Sequence, residues 1–356
     1  MDHKTTIHYS LYPLSILYGL GVRFRNLLFD QGIYKSRTFP IPIISVGNLT
    51  VGGTGKTPHI EYLIRLLSPL YKVAVLSRGY KRKSSGFLLA TPDTTPALLG
   101  DEPFQLWSKF PQIQMAVDAD RCHGIEQLLS GSEPPQVILL DDAFQHRYVK
   151  PGLSILLTDY NRPFYHDTLL PAGRLREGRS GKRRADLFIV SKSPLQTTTE
   201  QASSIRAAIH PTPEQHVFFS GLDYLPLRSV FNGHTANLPA TTQILLVTGI
   251  AQPQLIERQI ADHYILNESF VFSDHHDFTE SDIRKISYKF NAIQNKEKAI
   301  VVTEKDAVRL RHNSFLNDYL KENLYFLPLE IVFLHNETNR FNQIILDYVA
   351  ENQRNS

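Results

Sequence analysis

The chain of 356 residues is 42% hydrophobic and carries 38 Lys and Arg residues against 35 Asp and Glu residues. A net charge of +3 is too small to predict a nucleic-acid partner. The single cysteine, Cys122, excludes an intramolecular disulfide and indicates a reducing compartment. The chain begins without a signal-peptide pattern, and no segment approaches the roughly 18 uninterrupted apolar residues of a membrane span. We therefore expect an intracellular protein, and the length predicts two domains.

Apolar residues recur at helical spacing near the N-terminus, and the pattern predicts an amphipathic helix within residues 9–35. Its apolar stripe consists of Leu14, Leu17, Leu20, Phe24, Leu27 and Leu28. The cations in or just after it are Arg23, Arg25, Lys35 and Arg37. Such a helix either packs on its own domain or lies in a membrane interface with its cations near anionic headgroups. Composition alone leaves both possibilities open.

A β-branched run at residues 43–46 leads into a glycine-rich loop, then Lys56-Thr57-Pro58 and a helical pattern. This order of strand, loop and helix predicts a nucleoside-triphosphate site. Lys56 would contact the β- and γ-phosphates, and the Thr57 hydroxyl would reach Mg²⁺. The usual phosphate loop has a glycine five residues before Gly55, where this chain has Thr50. The alternative is a glycine-rich turn that binds no ligand.

Two later strands end in residues suited to the same ligand. Residues 72–76 predict a buried strand followed by Arg78, and residues 137–140 predict another that ends in Asp141 and Asp142. A buried strand that delivers a carboxylate to Mg²⁺ is typical of the Walker B position in P-loop enzymes. Asp101 opens a further predicted helix, where an acidic residue alone is more often a cap than a catalytic group.

Strands and helices alternate through both halves of the chain. The pattern predicts an α/β fold: a P-loop NTPase-like, mostly parallel sheet flanked by helices, with a second, smaller α/β domain. We place the domains at residues 1–225 and 226–356. A cluster at residues 274–277, Asp-His-His-Asp, suggests a metal site, but no cysteine or second histidine-rich segment lies close in sequence. A catalytic or orienting histidine is the better interpretation.

An ordered set of motifs resembles the lipid A 4′-kinases (tetraacyldisaccharide 4′-kinases). These motifs occupy residues 47–58, 77–80, 100–103, 141–147, 170–173, 274–275 and 303–306. They occur in the family's order and cover most of the chain, and the long loop with Thr50 is expected in that family. The chain departs from the pattern at Ala143, where glycine is usual, and at Arg174, where proline is usual. Neither position is expected to take part in chemistry.

The resemblance implies transfer of the γ-phosphoryl group of ATP, with Mg²⁺, to the 4′-hydroxyl of tetraacyldisaccharide 1-phosphate, which gives lipid IVA in lipopolysaccharide biosynthesis. It also implies that the N-terminal helix dips into the cytoplasmic face of the bacterial inner membrane, where the acylated substrate resides. We expect a peripheral membrane enzyme that is monomeric and binds no nucleic acid. The smaller domain is expected to close over the cleft and exclude water.

Site roles follow from the same resemblance. The residues expected to hold ATP are Gly47, Asn48, Thr50, Gly52, Gly53, Thr54, Gly55, Lys56 and Thr57. Mg²⁺ is assigned to Thr57 with Asp141 or Asp142, and the choice between the two aspartates stays open. Asp101 would accept the proton of the 4′-hydroxyl, and His275 would hydrogen-bond to Asp101, with His276 as the alternative. The residues expected to contact the lipid substrate are Asn48, Arg78, Gln145, His146 and Arg174.

Three other functions are alternatives, and two of them, a GTPase and a partitioning ATPase, begin with a similar pattern. A GTPase should carry Asn-Lys-x-Asp after a late strand, and the segments at residues 191–194 and 303–306 do not match that order. A deviant partitioning ATPase should have a second lysine near the start of the loop, and residues 51–54 contain none. A membrane adaptor without activity would explain the N-terminal helix but leave Lys56, Thr57 and the two aspartates without a role.

Overall fold

The computed structural model describes residues 7–250, 253–273 and 276–353. Its helices are α1 (Tyr12–Asp30), α2 (Lys56–Leu67), α3 (Pro96–Leu99), α4 (Asp101–Lys109), α5 (Arg121–Ser130), α6 (Thr199–Ile209), α7 (Gln254–Ala261), α8 (Glu280–Ala292), α9 (Glu304–Arg311), α10 (Asp318–Glu322) and α11 (Thr338–Gln353). Its strands are β1 (Ile43–Asn48), β2 (Val73–Ser77), β3 (Leu88–Leu89), β4 (Gln114–Val117), β5 (Val137–Asp141), β6 (Leu153–Asp159), β7 (Leu187–Ser191), β8 (His216–Tyr224), β9 (Arg228–Ser229), β10 (Gln243–Thr248), β11 (Ile265–Val271), β12 (Lys298–Thr303), β13 (Leu324–Leu327) and β14 (Leu329–Phe333). Short 3-10 helices span Tyr9–Leu11, Phe164–His166 and Arg179–Arg184.

The chain divides into two compact units, one of Met1–Leu222 with Ile331–Ser356 and one of Asp223–Glu330. The sequence patterns predicted domains of 1–225 and 226–356. In the structure the C-terminal stretch after residue 330 belongs to the first unit instead. Helix α11 accounts for this difference, because its residues Phe341, Ile345 and Val349 are buried in the core of the first unit.

The first unit is built on a nine-stranded sheet in the order β14-β8-β7-β6-β1-β5-β2-β4-β3. The pairs β1–β5, β1–β6, β2–β4, β2–β5, β6–β7 and β7–β8 are parallel, and β3 runs antiparallel to β4. Strand β1 lies between β5 and β6, with Val46 opposite Asp141. Because parallel neighbours end at the same edge, the loops after β1 and β5 meet there. The predicted mostly parallel α/β sheet is confirmed.

Helix α2 holds the phosphate loop against this sheet. Its apolar residues Ile60, Leu63, Ile64 and Leu67 recur at helical spacing and are all at most 1% exposed. They pack into the same core as Val46 of β1. The predicted strand, loop and helix are therefore one packed block, so the start of α2 is fixed relative to the end of β1.

Helix α1 contacts the first unit through its polar face. Ser15 is buried, donates to the carbonyl of Leu169 at 3.0 Å and accepts from the amide of Ala172 at 2.8 Å. The Tyr18 hydroxyl donates to the carbonyl of Arg176 at 2.7 Å. The predicted helix is confirmed, but most of its apolar stripe is exposed: Leu14, Leu17, Leu20, Phe24 and Leu27. Among the residues that the structure describes, no helix is long and apolar enough to cross a membrane.

The second unit is a smaller α/β fold, as predicted. Its five-stranded sheet has the order β11-β10-β12-β13-β9, and only the pair β13–β9 is antiparallel. The motif at residues 303–306 has a structural role here. Asp306 is fully buried, accepts from the amide of Gly249 at 3.0 Å and from the Thr303 hydroxyl at 2.6 Å, and so joins the start of α9 to the loop after β10.

Candidate active site

The loop between β1 and α2 has the backbone of an anion-binding loop. Gly52 and Gly55 have φ values of 108° and 79°, which glycine adopts without a side-chain clash. Asn48 braces the loop from within, because its amide donates to the Thr54 hydroxyl at 2.8 Å. From β7, the Ser191 hydroxyl donates to the carbonyl of Thr54 at 2.8 Å. The loop is thus held open at the N-terminus of α2, where its amides and the helix dipole favour an anion.

The unusual positions of the loop have structural explanations. A Cβ atom on Gly47 would lie 2.6 Å from Cβ of Phe144, so only glycine at this position lets the segment after β5 pack closely against β1. Thr50 is buried and forms an antiparallel bridge with Leu175, and the neighbouring amide of Val51 donates to the carbonyl of Arg174 at 2.8 Å. The first part of the loop is therefore paired as a short ribbon, a conformation that does not require glycine at position 50.

The cation and the carboxylates meet at this end of the sheet. The Lys56 Nζ atom lies 3.5 Å from Oδ1 of Asp142. Asp141 precedes it at the end of β5, where the Ser77 hydroxyl donates to its Oδ2 atom at 3.1 Å. The Oδ1 atom of Asp141 is buried and has no hydrogen-bond partner among the described residues. An orphaned carboxylate oxygen, a second carboxylate and the Thr57 hydroxyl are oxygen donors of the kind that Mg²⁺ prefers.

Burial changes the acidity of Asp141. Loss of hydration raises the pKa of its carboxyl to about 6, and repulsion from Asp142 adds to the effect, while the positive charge of Lys56 opposes it. The carboxylate form is therefore costly until a positive charge arrives. A bound divalent cation would supply that charge, which favours a metal ligand over a purely structural acid at this position.

The motifs at residues 77–80 and 100–103 pack against each other. Gly79 has φ of 68°, Gly100 has φ of 96°, and a Cβ atom on Gly100 would lie 3.3 Å from the carbonyl oxygen of Tyr80. The two glycines thus allow the end of β2 to approach the start of α4. Asp101 is the first residue of α4 and is exposed, and Arg78 is exposed at the end of β2. Both predicted functional side chains therefore belong to one backbone junction.

Gln145 has a structural role that the sequence did not predict. Its amide donates to the carbonyl of Asn48 at 2.8 Å and to the Glu177 carboxylate at 3.0 Å. Its backbone carbonyl accepts from Arg25 of α1 at 2.6 Å. Glu177 is buried and also pairs with Arg184 at 2.7 Å. Gln145 therefore joins the end of β1 to helix α1, and its predicted contact with the lipid substrate stays a prediction.

His146 is surrounded by positive charge. Burial lowers its pKa to about 4, and the charges of Arg121, Arg25 and Arg78 lower it further, while the carboxylate of Asp120 opposes them. Donor atoms of Asp120, Cys122 and His146 lie within 4.8 Å of one another, a spacing that could suit a metal ion. The neighbouring arginines disfavour a cation there, and instead favour an anionic group beside a neutral imidazole.

Two arginines near the carboxylates were not assigned from the sequence. Arg176 places its NH1 atom 2.9 Å from both carboxylate oxygens of Asp142. Arg121 is 3% exposed and donates to the carbonyl of Asp141 at 3.3 Å. Both lie outside the sequence motifs, and neither has a spacing that relates it to the carboxylates. Arg174, whose assignment to the lipid stays a prediction, lies next to the phosphate loop: its NH1 atom would lie 3.6 Å from a Cβ atom on Gly52.

The histidine pair of the second unit is only partly described. His275 lies outside the described residues, so its assignment stays a prediction. The ring of His276 stacks on Phe272 with centroids 4.5 Å apart, and its Nε2 atom lies 2.9 Å from a carboxylate oxygen of Asp282. Asp282 in turn forms a capping box with Thr279 at the start of α8. His276 thus has structural partners within its own unit.

Comparisons with known proteins agree with this geometry. A sequence model of the family described as LpxK, tetraacyldisaccharide-1-P 4′-kinase, matches residues 7–350. The tetraacyldisaccharide 4′-kinase of Phocaeicola vulgatus is 52% identical over 352 residues, which are 97% of this chain and 96% of the relative. That of Bacteroides thetaiotaomicron is 51% identical in an alignment of 367 positions, which covers 100% of this chain and 97% of the relative. The crystal structure of an "apo" form of LpxK from Aquifex aeolicus in complex with ATP is 28% identical, has a TM-score of 0.75, and is matched over 96% of this chain and 99% of that chain.

Proposed function

The chain belongs to the tetraacyldisaccharide-1-P 4′-kinase family, and we infer from this membership that it transfers the γ-phosphoryl group of ATP to the 4′-hydroxyl of tetraacyldisaccharide 1-phosphate. The resemblance predicted from the ordered motifs is confirmed by these relatives. The observation that carries the function is the phosphate loop, with Lys56 beside Asp142, in a chain matched over nearly its whole length to an ATP-bound relative. The product is the lipid IVA precursor of lipopolysaccharide.

For the nucleotide site, we propose that the loop amides and Lys56 hold the β- and γ-phosphates. The ribbon between Thr50 and Leu175 and the brace from Asn48 support this role, because they leave Gly52 to Gly55 at the mouth of α2. Arg174 is a further candidate for a phosphate contact, since its guanidinium lies beside Gly52. The positive groups would offset the charge that develops on the transferring phosphoryl group.

Mg²⁺ is assigned to Thr57, Asp141 and Asp142. Their oxygen donors, and the buried Oδ1 atom of Asp141 that has no hydrogen-bond partner among the described residues, support the assignment. When bound, the ion neutralises and orients the phosphate oxygens. Arg176 holds both oxygens of Asp142 in this structure, so we propose that it keeps this carboxylate in place and charge-balanced until the ion arrives.

Asp101 is proposed as the base that accepts the proton of the 4′-hydroxyl. Its exposure at the first residue of α4 supports this role, because the junction of Gly79 and Gly100 gives its backbone a fixed position. A general base typically contributes about 10²- to 10⁴-fold in rate. His275 is proposed to orient Asp101 or tune its pKa, and the engagement of His276 with Phe272 and Asp282 supports the choice of His275 over His276.

The lipid headgroup is assigned to basic groups near the ends of β2 and β5. We propose Arg78 and His146 as contacts of the headgroup, because the positive charge around His146 favours the substrate's 1-phosphate. The predicted contacts of Asn48, Gln145 and Arg174 with the substrate stay predictions. Asn48 and Gln145 support the site indirectly, since their side chains brace the loop and helix α1. The acyl chains of the substrate stay in the bilayer, so the site that binds the headgroup must lie close to the membrane.

Helix α1 is proposed to keep the headgroup site close to the membrane. Its exposed apolar side chains form one face, and the substrate's acyl chains remain in the membrane, so we propose that α1 lies in the cytoplasmic face of the inner membrane, where ATP is available. Arg23 and Lys35 are exposed and would lie near anionic headgroups. Arg25 and Arg37 are engaged with Gln145 and Glu126 of the protein itself.

The test is transfer of label from γ-labelled ATP to tetraacyldisaccharide 1-phosphate in detergent micelles. Lys56→Ala and Asp101→Asn are run beside the wild type, with thermal unfolding to verify that each variant is folded. We expect a labelled lipid that both variants fail to produce at the wild-type rate. ATP hydrolysis without a labelled lipid would reject the kinase, and near-full turnover by Asp101→Asn would reject the base assignment.

A further inference from the structure

A buried histidine lies directly behind the phosphate loop. His59 is the fourth residue of α2 and is 3% exposed. Its Nδ1 atom lies 2.6 Å from the carbonyl oxygen of Gly55, and its Nε2 atom lies 2.9 Å from the hydroxyl of Ser220. Ser220 is fully buried on β8, two strands of the sheet beyond β6. The imidazole thus spans from the core strand to the last residue of the loop.

Chemistry fixes the direction of both hydrogen bonds. A carbonyl oxygen only accepts, so the Nδ1 atom of His59 carries a hydrogen and donates to Gly55. With Nδ1 protonated, the neutral imidazole has a lone pair at Nε2, and the hydroxyl of Ser220 lies within hydrogen-bond distance of that atom. The Ser220 hydroxyl therefore donates to Nε2. Both ring nitrogens are satisfied, and the ring has one tautomer and one orientation.

The side chain of His59 takes over a bond that the helix backbone makes poorly. The amide of His59 lies 3.4 Å from the carbonyl oxygen of Gly55, long for the first bond of a helix, whereas its own ring nitrogen lies 2.6 Å from the same oxygen. Gly55 has φ of 79°, so the chain turns sharply at this residue. The orientation of the Gly55 carbonyl therefore depends on the imidazole more than on the helix.

That carbonyl sets the direction of an amide in the loop. The carbonyl of Gly55 and the N–H of Lys56 belong to one planar trans peptide unit and point in opposite directions. If the carbonyl is held toward His59, the N–H of Lys56 is held away from it, toward the interior of the phosphate loop. By donating to the carbonyl of Gly55, the imidazole of His59 therefore also fixes the direction of the N–H of Lys56.

We propose that His59, supported by Ser220, is a positioning residue that orients the peptide between Gly55 and Lys56 for nucleotide binding. The residue touches neither nucleotide nor lipid and acts only through this peptide. The inference rests on the proposed role of the loop in binding ATP. It assigns a function to a buried polar pair that no step of the phosphoryl transfer uses directly.

The test compares two substitutions of His59 that differ in the donor. His59→Leu fills the space without a donor, whereas His59→Asn keeps an N–H at the position of Nδ1. Loss of one orienting hydrogen bond corresponds to about a fivefold weaker affinity for ATP, which we expect for His59→Leu as a higher KM and Kd for ATP. His59→Asn should recover the affinity to within about twofold of wild type. For Ser220→Ala, which frees the far end of the ring, we expect a loss of about two- to threefold.

Tyr62→Phe is the matched control. It removes a partly buried hydrogen bond of the same helix, from the Tyr62 hydroxyl to Asn342 at 2.7 Å, without touching the loop. A merely structural role of His59 would lower the melting temperature of His59→Leu and Tyr62→Phe alike and leave both ATP affinities unchanged. The KM for the lipid and the kcat should stay within about twofold of wild type in every variant, because the change concerns only nucleotide binding.

Affinity for ATP is measured by equilibrium binding without lipid, as well as by kinetics. If the wild type binds no ATP, the proposed function fails. If it binds ATP and His59→Leu binds equally well, the function stands and the inference on His59 is overturned. Equal losses in His59→Leu and His59→Asn would also overturn it, because the hydrogen-bond donor would then be irrelevant.

Discussion

Helix α2 turns Ile60, Leu63 and Ile64 into the core, whereas helix α1 leaves Leu17 and Phe24 at 66% and 63% exposure. The two helices have similar apolar stripes in sequence, so the stripe alone does not predict whether it will be buried or exposed. The difference lies in the polar side chains. In α2 the polar residues His59, Glu61 and Tyr62 have partners within the same unit in addition to the packed apolar stripe. In α1 the polar face itself forms the hydrogen bonds, to the loop at residues 169–177.

The apolar side chains of α1 can stay exposed because polar contacts hold the helix to the unit. Ser15, Tyr18 and Asn26 bond to Leu169, Arg176 and Glu177, and the same loop continues into the residues that contact Asp142. Helix α1 is therefore fixed to the active-site loop by polar bonds, and its apolar side remains for another environment. A large exposed apolar face marks an interaction surface. In this family the environment that we propose is the bilayer that holds the substrate.

The largest expected effect is on stability, in α2. Ile64→Ala removes a side chain that is fully buried, so we expect a loss of about 2–5 kcal/mol in the free energy of unfolding. Leu17→Ala in α1 is the matched change at an exposed position and should cost less than about 0.5 kcal/mol. Denaturant unfolding of both variants checks the contrast. A comparable loss in Leu17→Ala would mean that the stripe of α1 is packed in solution.

The second prediction concerns membrane affinity, in α1. Leu17→Ser combined with Phe24→Ser removes two exposed apolar side chains, each worth roughly 1.5–3 kcal/mol when buried, so binding to vesicles should fall by about 100-fold or more. The melting temperature should not change. Sedimentation with phosphatidylglycerol-containing vesicles measures the partition.

Tyr288→Ser with Phe315→Ser supplies the control for that measurement, since these side chains are also exposed, at 78% and 51%, but lie in the second unit. We expect this pair of changes to leave vesicle binding intact. An equal loss from both pairs would indicate general surface hydrophobicity and not a docking face on α1.

The third prediction is that pH affects Mg²⁺ binding near α2 but not membrane binding by α1. Lys56 at the start of α2 lies near Asp141, whose pKa is raised to about 6 mainly by burial. A protonated carboxyl binds Mg²⁺ poorly, so the KM for Mg²⁺ should rise as pH falls below about 6, approaching tenfold per pH unit, and be flat above about 7. Binding of α1 to phosphatidylglycerol vesicles should not vary over this range, because Arg and Lys stay charged. Asp141→Asn removes the titrating group, and a pH response of Mg²⁺ affinity that persists in this variant would refute the assignment.

The core elements of the first unit were predictable because their residues obey strong local rules. The apolar runs of β1 and β5 and the spacing of Ile60 to Leu67 depend only on neighbours in the chain. The roles proposed for Lys56, Thr57 and the two aspartates follow from motif order and stay predictions. Residues that act across the chain were harder: Arg176 reaches Asp142, and Ser220 reaches His59, over separations that no periodicity encodes.

The return of the chain after residue 330 was unpredictable for a similar reason. Helix α11 has an ordinary amphipathic pattern, and nothing local says which unit will bury Phe341 and Ile345. Gln145 illustrates the same limit within the site. Its motif predicts a contact with the substrate, which stays a prediction, whereas its hydrogen bonds to Asn48 and Glu177 link segments that are far apart in the chain and could not be read from the sequence.

The smallest expected effects come from the charges beside α1, and they sharpen the comparison further. Arg23→Gln and Lys35→Gln each remove an exposed cation, worth about 1 kcal/mol or about fivefold in binding to anionic vesicles at low salt. Arg37→Gln should have a smaller effect, because Arg37 already pairs with Glu126 and contributes less charge to the membrane. The losses should vanish in vesicles of neutral lipid and shrink as salt is added, since screening shortens the range of attraction to about 8 Å at physiological ionic strength.

If all three variants lose affinity for the vesicles equally, the ion pair with Glu126 does not restrain Arg37, and the cations in and just after α1 act as one diffuse charge. If none does, docking rests on the apolar face alone, and the contrast with α2 is purely one of which side of the helix meets water.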